Sequence, residues 1–415
     1  MTKILGLKCK ECGRTFEAGA LHVCDFCFGP LEVSYDYDFI KSTISREKIE
    51  QGPLTLWRYL GLLPVEQGLD PDFPVGFTPL QKAPRLGATL GLDNLYIKND
   101  SVNPTFSFKD RVVAIAVTKA RELGYDTFAC ASTGNLASAV AAAGARAGMD
   151  TFVFLPSDVE AGKIVNAAVY GANIVAIDGT YDQLNRLCSE IADEHEWAFC
   201  NINVRPYYSE GSKTLAFETV EQLGWRAPDH VVVPIASGSQ YTKINRGFRE
   251  LVEVGLIEGQ SVRMSGAQAD GCGPVAEAFE TGSDIVRPVQ KPETIAKSLA
   301  IGNPADGRYS LEIARSTGGS IASVNDEQIV EGIKLLASKE GVFTETAGGV
   351  TIAVLKKLAE SGEIGRDELT VAFITGNGLK TQEALDGQVS VSMTIDPTYS
   401  AFEKAFTAQR ELAPV

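Results

Sequence analysis

From about residue 78 almost to the end of the chain, short apolar runs alternate with amphipathic or alanine-rich stretches of helical length. Strand-like runs at 95–98, 127–131, 151–155 and 173–177 precede predicted helices over about 109–123, 135–147, 161–170 and 181–194. Further runs at 230–235 and 261–267 lead into helices predicted over 242–254 and 274–281, and 371–374 is the last strand before a polar tail. Strands that alternate with helices of 10–15 residues form βαβ units, and parallel strands buried on both faces read as continuous apolar runs. The expected fold class is therefore α/β. In such sheets ligands sit beyond the C-terminal ends of the strands, where helix N-termini point inward. No internal repeat and no low-complexity segment interrupts this pattern.

Two stretches before residue 78 have a different texture. Residues 1–37 hold four cysteines, and residues 38–77 are polar and broken by glycine and proline, which reads as helical pieces in an arm or linker. The expected organisation is a cysteine-knuckle module over 1–37, the arm over 38–77, a catalytic body over 78–385 and a tail over 386–415. Within the body, a small lobe of roughly residues 100–210 is expected as an insertion in a larger one. At 415 residues the chain exceeds the size at which single cores stop growing.

Composition narrows the partners. The formal charge of −15 repels phosphate backbones and anionic lipid, so neither nucleic acid nor a membrane is an expected partner. No run approaches the roughly 20 apolar residues of a membrane span. The first residues lack the apolar core of a signal peptide, which makes the cytoplasm the expected location. Three histidines leave little for an imidazole base or a histidine-rich metal site.

Four loops fall at strand-to-helix junctions. Residues 103–111, Asn-Pro-Thr-Phe-Ser-Phe-Lys-Asp-Arg, place Lys109 at a helix start, where the macrodipole favours anions. Such an amine is either a surface lysine paired with Asp110 or, in a partly apolar pocket, one suited to Schiff-base chemistry. Ser132-Thr133-Gly134-Asn135 fits a carboxylate cradle or an ordinary helix cap. Residues 234–242, including Ser237, Gly238, Ser239, Gln240 and Thr242, fit a phosphate cradle built from backbone donors, or simply a tight turn. Thr375-Gly376-Asn377-Gly378 is a ring contact or a turn.

In this order the motifs resemble the cofactor-binding core of fold-type II pyridoxal-phosphate (PLP) enzymes, in the form found in the threonine synthase family, over roughly 78–385. The resemblance implies two open twisted sheets flanked by helices, with PLP between them. It implies Lys109 as the Schiff-base lysine and catalytic base, and Asn135 at the ring oxygen. Ser237, Gly238, Ser239, Gln240 and Thr242 would hold the cofactor phosphate, and Thr375 would meet the pyridine nitrogen. Ser107, Ser132 and Thr133 are the hydroxyls assigned to substrate. The loop lacks the Gly-Asn-x-Gly-Asn form of other members, which leaves its individual phosphate donors open, and Asn377 stands where many members carry His. The implied activity converts O-phospho-L-homoserine and water to L-threonine and phosphate, with a homodimer as the expected assembly. A threonine or serine dehydratase, or a cysteate synthase, is the alternative within the same fold.

Two further segments carry candidate sites. Arg205 and Lys213 lie in a hydroxyl-rich stretch at a helix start and are candidates for the substrate's own phosphate, against plain capping with a Glu210–Lys213 surface pair. Cys9-x-x-Cys12 and Cys24-x-x-Cys27 have the spacing of a four-thiolate zinc ribbon. One structural zinc is expected there, against a knuckle that has lost its metal and keeps the cysteines for packing.

Overall fold

The computed structural model describes residues 3–68, 72–132, 134–157, 161–179, 181–259 and 261–412. Three sheets organise the chain. Strands β1 (Ile4–Cys9), β2 (Thr15–Phe16) and β3 (Leu31–Tyr35) form an antiparallel sheet in the order β2-β1-β3. Strands β4 (Leu80–Lys82) and β5 (Leu95–Asn99) belong to a six-stranded sheet that is completed only after a long excursion. The excursion contains β6 (Thr127–Ala131), β7 (Asp150–Pro156), β8 (Asn173–Ile177) and β9 (Ala198–Phe199), a parallel sheet in the order β8-β7-β6-β9. The chain then returns through β10 (His230–Pro234), β11 (Arg263–Ala269), β12 (Ile321–Val324) and β13 (Thr370–Ile374). The large sheet runs β12-β11-β10-β13-β5-β4, parallel except for β4.

The apolar runs form the strands for the expected reason. His-Val-Val-Val-Pro and Thr-Val-Ala-Phe-Ile are buried at every residue, as central strands covered on both faces must be. Elements the pattern left unread lie between 282 and 370. They are β12 and the helices Gly307–Thr317, Asp326–Glu340 and Thr346–Glu360. The last of these packs its buried face on the large sheet. The C-terminal tail carries a helix, Tyr399–Leu412. Among the described residues no helix is long and apolar enough to cross a membrane.

Residues 37–62 form short helical pieces, as the glycine and proline spacing predicts, and they pack closely on the body. Leu56, Tyr59 and Leu62 are buried, and Arg58 holds Glu221 of the helix Lys213–Gln222 at 2.7 Å.

Beneath the helix Lys109–Glu122 lies a buried ionic network. Arg111 Nε meets Asp100 Oδ2 at 2.6 Å, and its Nη2 donates to Glu218 Oε2 at 2.8 Å. Lys98 Nζ meets the same Glu218 oxygen at 2.7 Å. These groups are almost fully removed from water, so each charge depends on its partners. The network ties β5, the helix start and the helix Lys213–Gln222 into one rigid unit.

Candidate active site

The loop before Lys109 is fixed from both sides. Thr105 donates its N–H and hydroxyl to Asp110, each at 2.8 Å. The Phe108 N–H donates to the Thr375 carbonyl at 2.8 Å, and the Asn377 N–H to the Phe106 carbonyl at 3.0 Å. Phe106 sits at φ 63°, a conformation non-glycine residues rarely adopt, so the surrounding bonds hold a strained loop in place. Two sequence-separated loops are thus laced together around the lysine.

Lys109 Nζ donates to Tyr208 Oη at 3.0 Å, and among the described residues no carboxylate lies within ion-pair distance. Burial lowers its pKa to about 8, against smaller upward contributions from Cys200 and Glu345. A nucleophilic or basic amine needs this state, because the neutral form is accessible near neutral pH. The surface pairing with Asp110 does not form, since that carboxylate faces back into the Thr105 turn.

Asn135 starts the helix Asn135–Ala147 at the end of β6, and its Nδ2 donates to Glu345 Oε2 at 2.9 Å. Thr375 ends the run of β13 and donates to Glu345 Oε1 at 3.3 Å. The sequence-predicted pair Asn135 and Thr375 therefore converge on one carboxylate, which the sequence reading did not single out. Glu345 is buried, and desolvation raises its pKa, opposed by its bonds to Asn135 and Thr375 and by the charges of Lys380 and Lys109. Gly376 runs so close to this carboxylate that any side chain there would collide with it.

The phosphate-loop candidates stand at the start of the helix Ser239–Glu253, three residues earlier than the pattern predicts. Gly238 takes φ 91°, and a Cβ there would meet the Asp306 carbonyl at 2.8 Å, so both conformation and space require glycine. The Ser237 carbonyl accepts from the Asp306 N–H at 2.8 Å. Thr242 turns its hydroxyl to the Ser239 carbonyl at 3.1 Å. Gln240 Nε2, Ser107 Oγ and Thr346 Oγ1 are buried polar atoms without a partner among the described residues. Unsatisfied buried donors and hydroxyls are what a polar ligand would complete. Ser132 sits half-buried beside Gly134, and Thr133 lies outside the described residues.

The two cations read as a substrate-phosphate pair separate. Arg205 is partly exposed and meets Asp306 at 3.2 Å, beside the Ser237–Ser239 turn. Lys10, from the cysteine knuckle, reaches the same carboxylate at 3.2 Å and lies 3.3 Å from the centre of the Tyr309 ring. Lys213 is a correction. Its ammonium is fully buried between Glu210 at 2.7 Å and Glu250 at 2.8 Å and also donates to the Leu62 carbonyl at 3.1 Å. The Glu210–Lys213 pair forms, but inside the protein, and no substrate phosphate reaches it. A cavity of about 700 Å³ opens beside Lys10, Arg246 and Tyr309, and Lys109 does not line it. Lys109 lies elsewhere, where the strand ends and helix starts meet.

The four knuckle cysteines converge, with Cys9 and Cys27 sulfurs 3.5 Å apart and Cys12 and Cys24 sulfurs 3.7 Å apart. All four lie within 4.8 Å of one another. Zinc–sulfur bonds of about 2.3 Å in a tetrahedron place sulfurs roughly 3.8 Å apart, which this cluster matches. Backbone N–H groups of Cys12 and Glu11 hold the Cys9 thiol down to about 7, against the opposing effect of burial.

A half-buried lysine without an ion-pair partner among the described residues, a glycine-opened helix start and unsatisfied buried polar atoms at Ser107, Gln240 and Thr346 are the site's main features. Residues 72–376 match the family model described as pyridoxal-phosphate dependent enzyme, and the chain belongs to that family. The threonine synthase of Methanocaldococcus jannaschii is 41% identical over 91% of this chain and 93% of that one. The threonine synthase of Methanosarcina acetivorans is 38% identical over 96% of this chain and 98% of that one. Among solved structures, threonine deaminase isoform 2 from Solanum lycopersicum superposes with TM-score 0.61 at 21% identity, covering 81% of this chain and 88% of that one. The Escherichia coli diaminopropionate ammonia lyase superposes with TM-score 0.63 at 19% identity, covering 82% and 91%. At these identities the two structures speak for the fold, which is the fold-type II arrangement.

Proposed function

We propose that the chain is a threonine synthase, converting O-phospho-L-homoserine and water to L-threonine and phosphate. The observation that carries this reading is the Lys109 amine, held away from solvent, without an ion-pair partner among the described residues and positioned by the loops that follow β5 and β13. The whole-length likeness to proteins named threonine synthase supports the choice of reaction.

PLP, when bound, supplies an electron sink for a carbanion next to the substrate nitrogen. The chain's own residues do the rest. Lys109 would hold the cofactor, and its amine would move protons at the substrate carbons. Asn135 and Thr375 orient the ring, and Thr375 is a neutral partner for its nitrogen, so it does not enforce a protonated ring. The turn Ser237–Gly238–Ser239 with Gln240 and Thr242 holds the cofactor phosphate by backbone N–H groups at a helix N-terminus. Ser107 and Ser132 are assigned to the substrate's carboxylate, as is Thr133, which lies outside the described residues, and Arg205 to its phosphate. Cys9, Cys12, Cys24 and Cys27 hold one zinc that closes the knuckle. A homodimer is the proposed assembly.

Phosphate release from O-phosphohomoserine, compared with O-phosphoserine and threonine as substrates, tests the assignment. Turnover only of O-phosphohomoserine, with threonine as product, is expected. Preferential turnover of O-phosphoserine or deamination of threonine would overturn it.

A further inference from the structure

The short helix Arg205–Glu210 presents two residues to the site, one turn apart. Arg205 points to the Asp306 corner of the phosphate turn, and Tyr208 reaches Lys109. The helix is held there by close contact. A Cβ at Gly211 would sit 2.6 Å from the Val112 Cα, so only glycine allows this approach to the helix that carries Lys109. Tyr208 is nearly buried, and its hydroxyl is 3.0 Å from the lysine nitrogen. An unattached Lys109 amine thus rests on a phenol, with Phe108 flanking it at 4.6 Å from ring centre to nitrogen. Two of the three histidines are placed elsewhere. His230 is buried in the large sheet against Ser265, and His195 packs on Trp197.

We propose that Tyr208 is a catalytic residue of this site, its hydroxyl passing a proton between the Lys109 amine and the oxygen through which the substrate's phosphate departs. This rests on the threonine synthase reading. The proton balance closes. Lys109 takes a proton from the carbon next to the phosphate-bearing one, and that C–H pair becomes the new carbon–carbon double bond. The carbon–oxygen bond breaks, and its pair stays on the phosphate oxygen. Tyr208 gives its proton to that oxygen and takes one from the Lys109 ammonium, so lysine and phenol end as they began, with Arg205 holding the departing anion one turn away. A phenol suits the task because it donates and accepts through one oxygen.

The test compares wild type with Tyr208→Phe and His22→Ala, the latter because His22 lies within electrostatic range of Arg205. Circular dichroism and thermal unfolding verify that each variant folds. Positioned acid–base groups contribute at least about a hundredfold, so Tyr208→Phe is expected to lower kcat for phosphate release by roughly that factor. KM should stay within about threefold, because Arg205 is untouched. His22→Ala should keep kcat.

A second readout needs no turnover. In cofactor-free protein, the pH midpoint for acetylation of Lys109, followed by mass spectrometry, should fall in Tyr208→Phe. The phenol oxygen accepts a charge-assisted bond from the ammonium, and among the described residues Cys200 and Glu345 are the other groups that act on its titration. Undiminished kcat in Tyr208→Phe, or a matched change in kcat and KM with an unmoved midpoint, overturns the proposal. So does loss of kcat in His22→Ala alone. If wild type releases no phosphate, the reaction assignment fails by itself, and an unmoved midpoint would then also remove Tyr208.

Discussion

Lys109 and Arg111 stand two residues apart on one helix, Arg111 fully buried and Lys109 half-buried, and they live in opposite electrostatic worlds. Arg111 is bound by Asp100, Glu218, Thr78 and Thr214, a complete set of acceptors in a dry interior. Lys109 has one phenol and no ion-pair partner among the described residues. A buried cation with every donor satisfied is part of the scaffold, because its desolvation is offset only by keeping those partners. A buried amine left without a counter-charge is an unstable arrangement for structure alone, and such groups concentrate at functional sites. The same helix start serves both ends, with the network side fixing the backbone so that the lysine side is aimed.

The largest expected effect separates the two directly. Lys109→Ala should reduce activity to background and leave thermal stability close to wild type, since it removes a side chain without an ionic partner. Arg111→Met should do the reverse in kind, costing about 3–5 kcal/mol of stability by stranding Asp100 in the interior and leaving Glu218 to Lys98 alone. Equal destabilisation in both variants, measured by denaturant unfolding, would erase the distinction.

The next pair repeats the contrast around the substrate. Arg205→Ala should lower kcat/KM for O-phosphohomoserine roughly ten- to hundredfold, the worth of one or two charge-assisted bonds to an anion, and leave PLP affinity almost unchanged. Lys213→Met should instead destabilise the fold by leaving Glu210 and Glu250 without their shared cation, with KM of the folded fraction near wild type. A large KM increase in Lys213→Met, without loss of stability, would return that residue to the substrate site.

A smaller effect concerns the knuckle. Elemental analysis should find about one zinc per chain, as a four-thiolate site requires. Chelation should loosen residues 3–35 in hydrogen exchange and leave PLP bound. It should also weaken the Lys10–Asp306 contact, raising KM for the phosphorylated substrate a few-fold, well short of the Arg205→Ala effect. Unchanged exchange over the knuckle after metal removal would favour cysteines that only pack.

How much of this was legible in the sequence follows from which forces are local. The central strands were readable because burial on both faces writes an apolar run into consecutive residues, as in Val231-Val232-Val233. Strand β12 was missed because it is four residues long and half-exposed in its middle. The four cysteines announced themselves through their spacing, whereas the Lys109 loop and the Gly238 turn were legible only through the order of motifs that resembles the family. Glu345 and Tyr208 did not, because their meaning is tertiary. Glu345 meets Asn135 across 210 residues, and Tyr208 meets Lys109 across 99. The signal available for Glu345 was a lone acid opening a helix of small and apolar residues, Thr346–Glu360, with no basic partner near it in sequence. Lys213 was misread for the same reason. A cation beside hydroxyls looks like an anion site until Glu250 arrives from another helix.

The central claim is that Lys109 is the residue that carries the cofactor. Borohydride reduction of the PLP-loaded protein, followed by proteolysis and mass spectrometry, fixes the cofactor to whichever lysine holds it. The pyridoxyl mass on the peptide containing Lys109, and on no other lysine, is the predicted result. The label on Lys98, Lys380 or any other lysine would contradict it, and the distinction drawn between the two ends of this helix would fall with it.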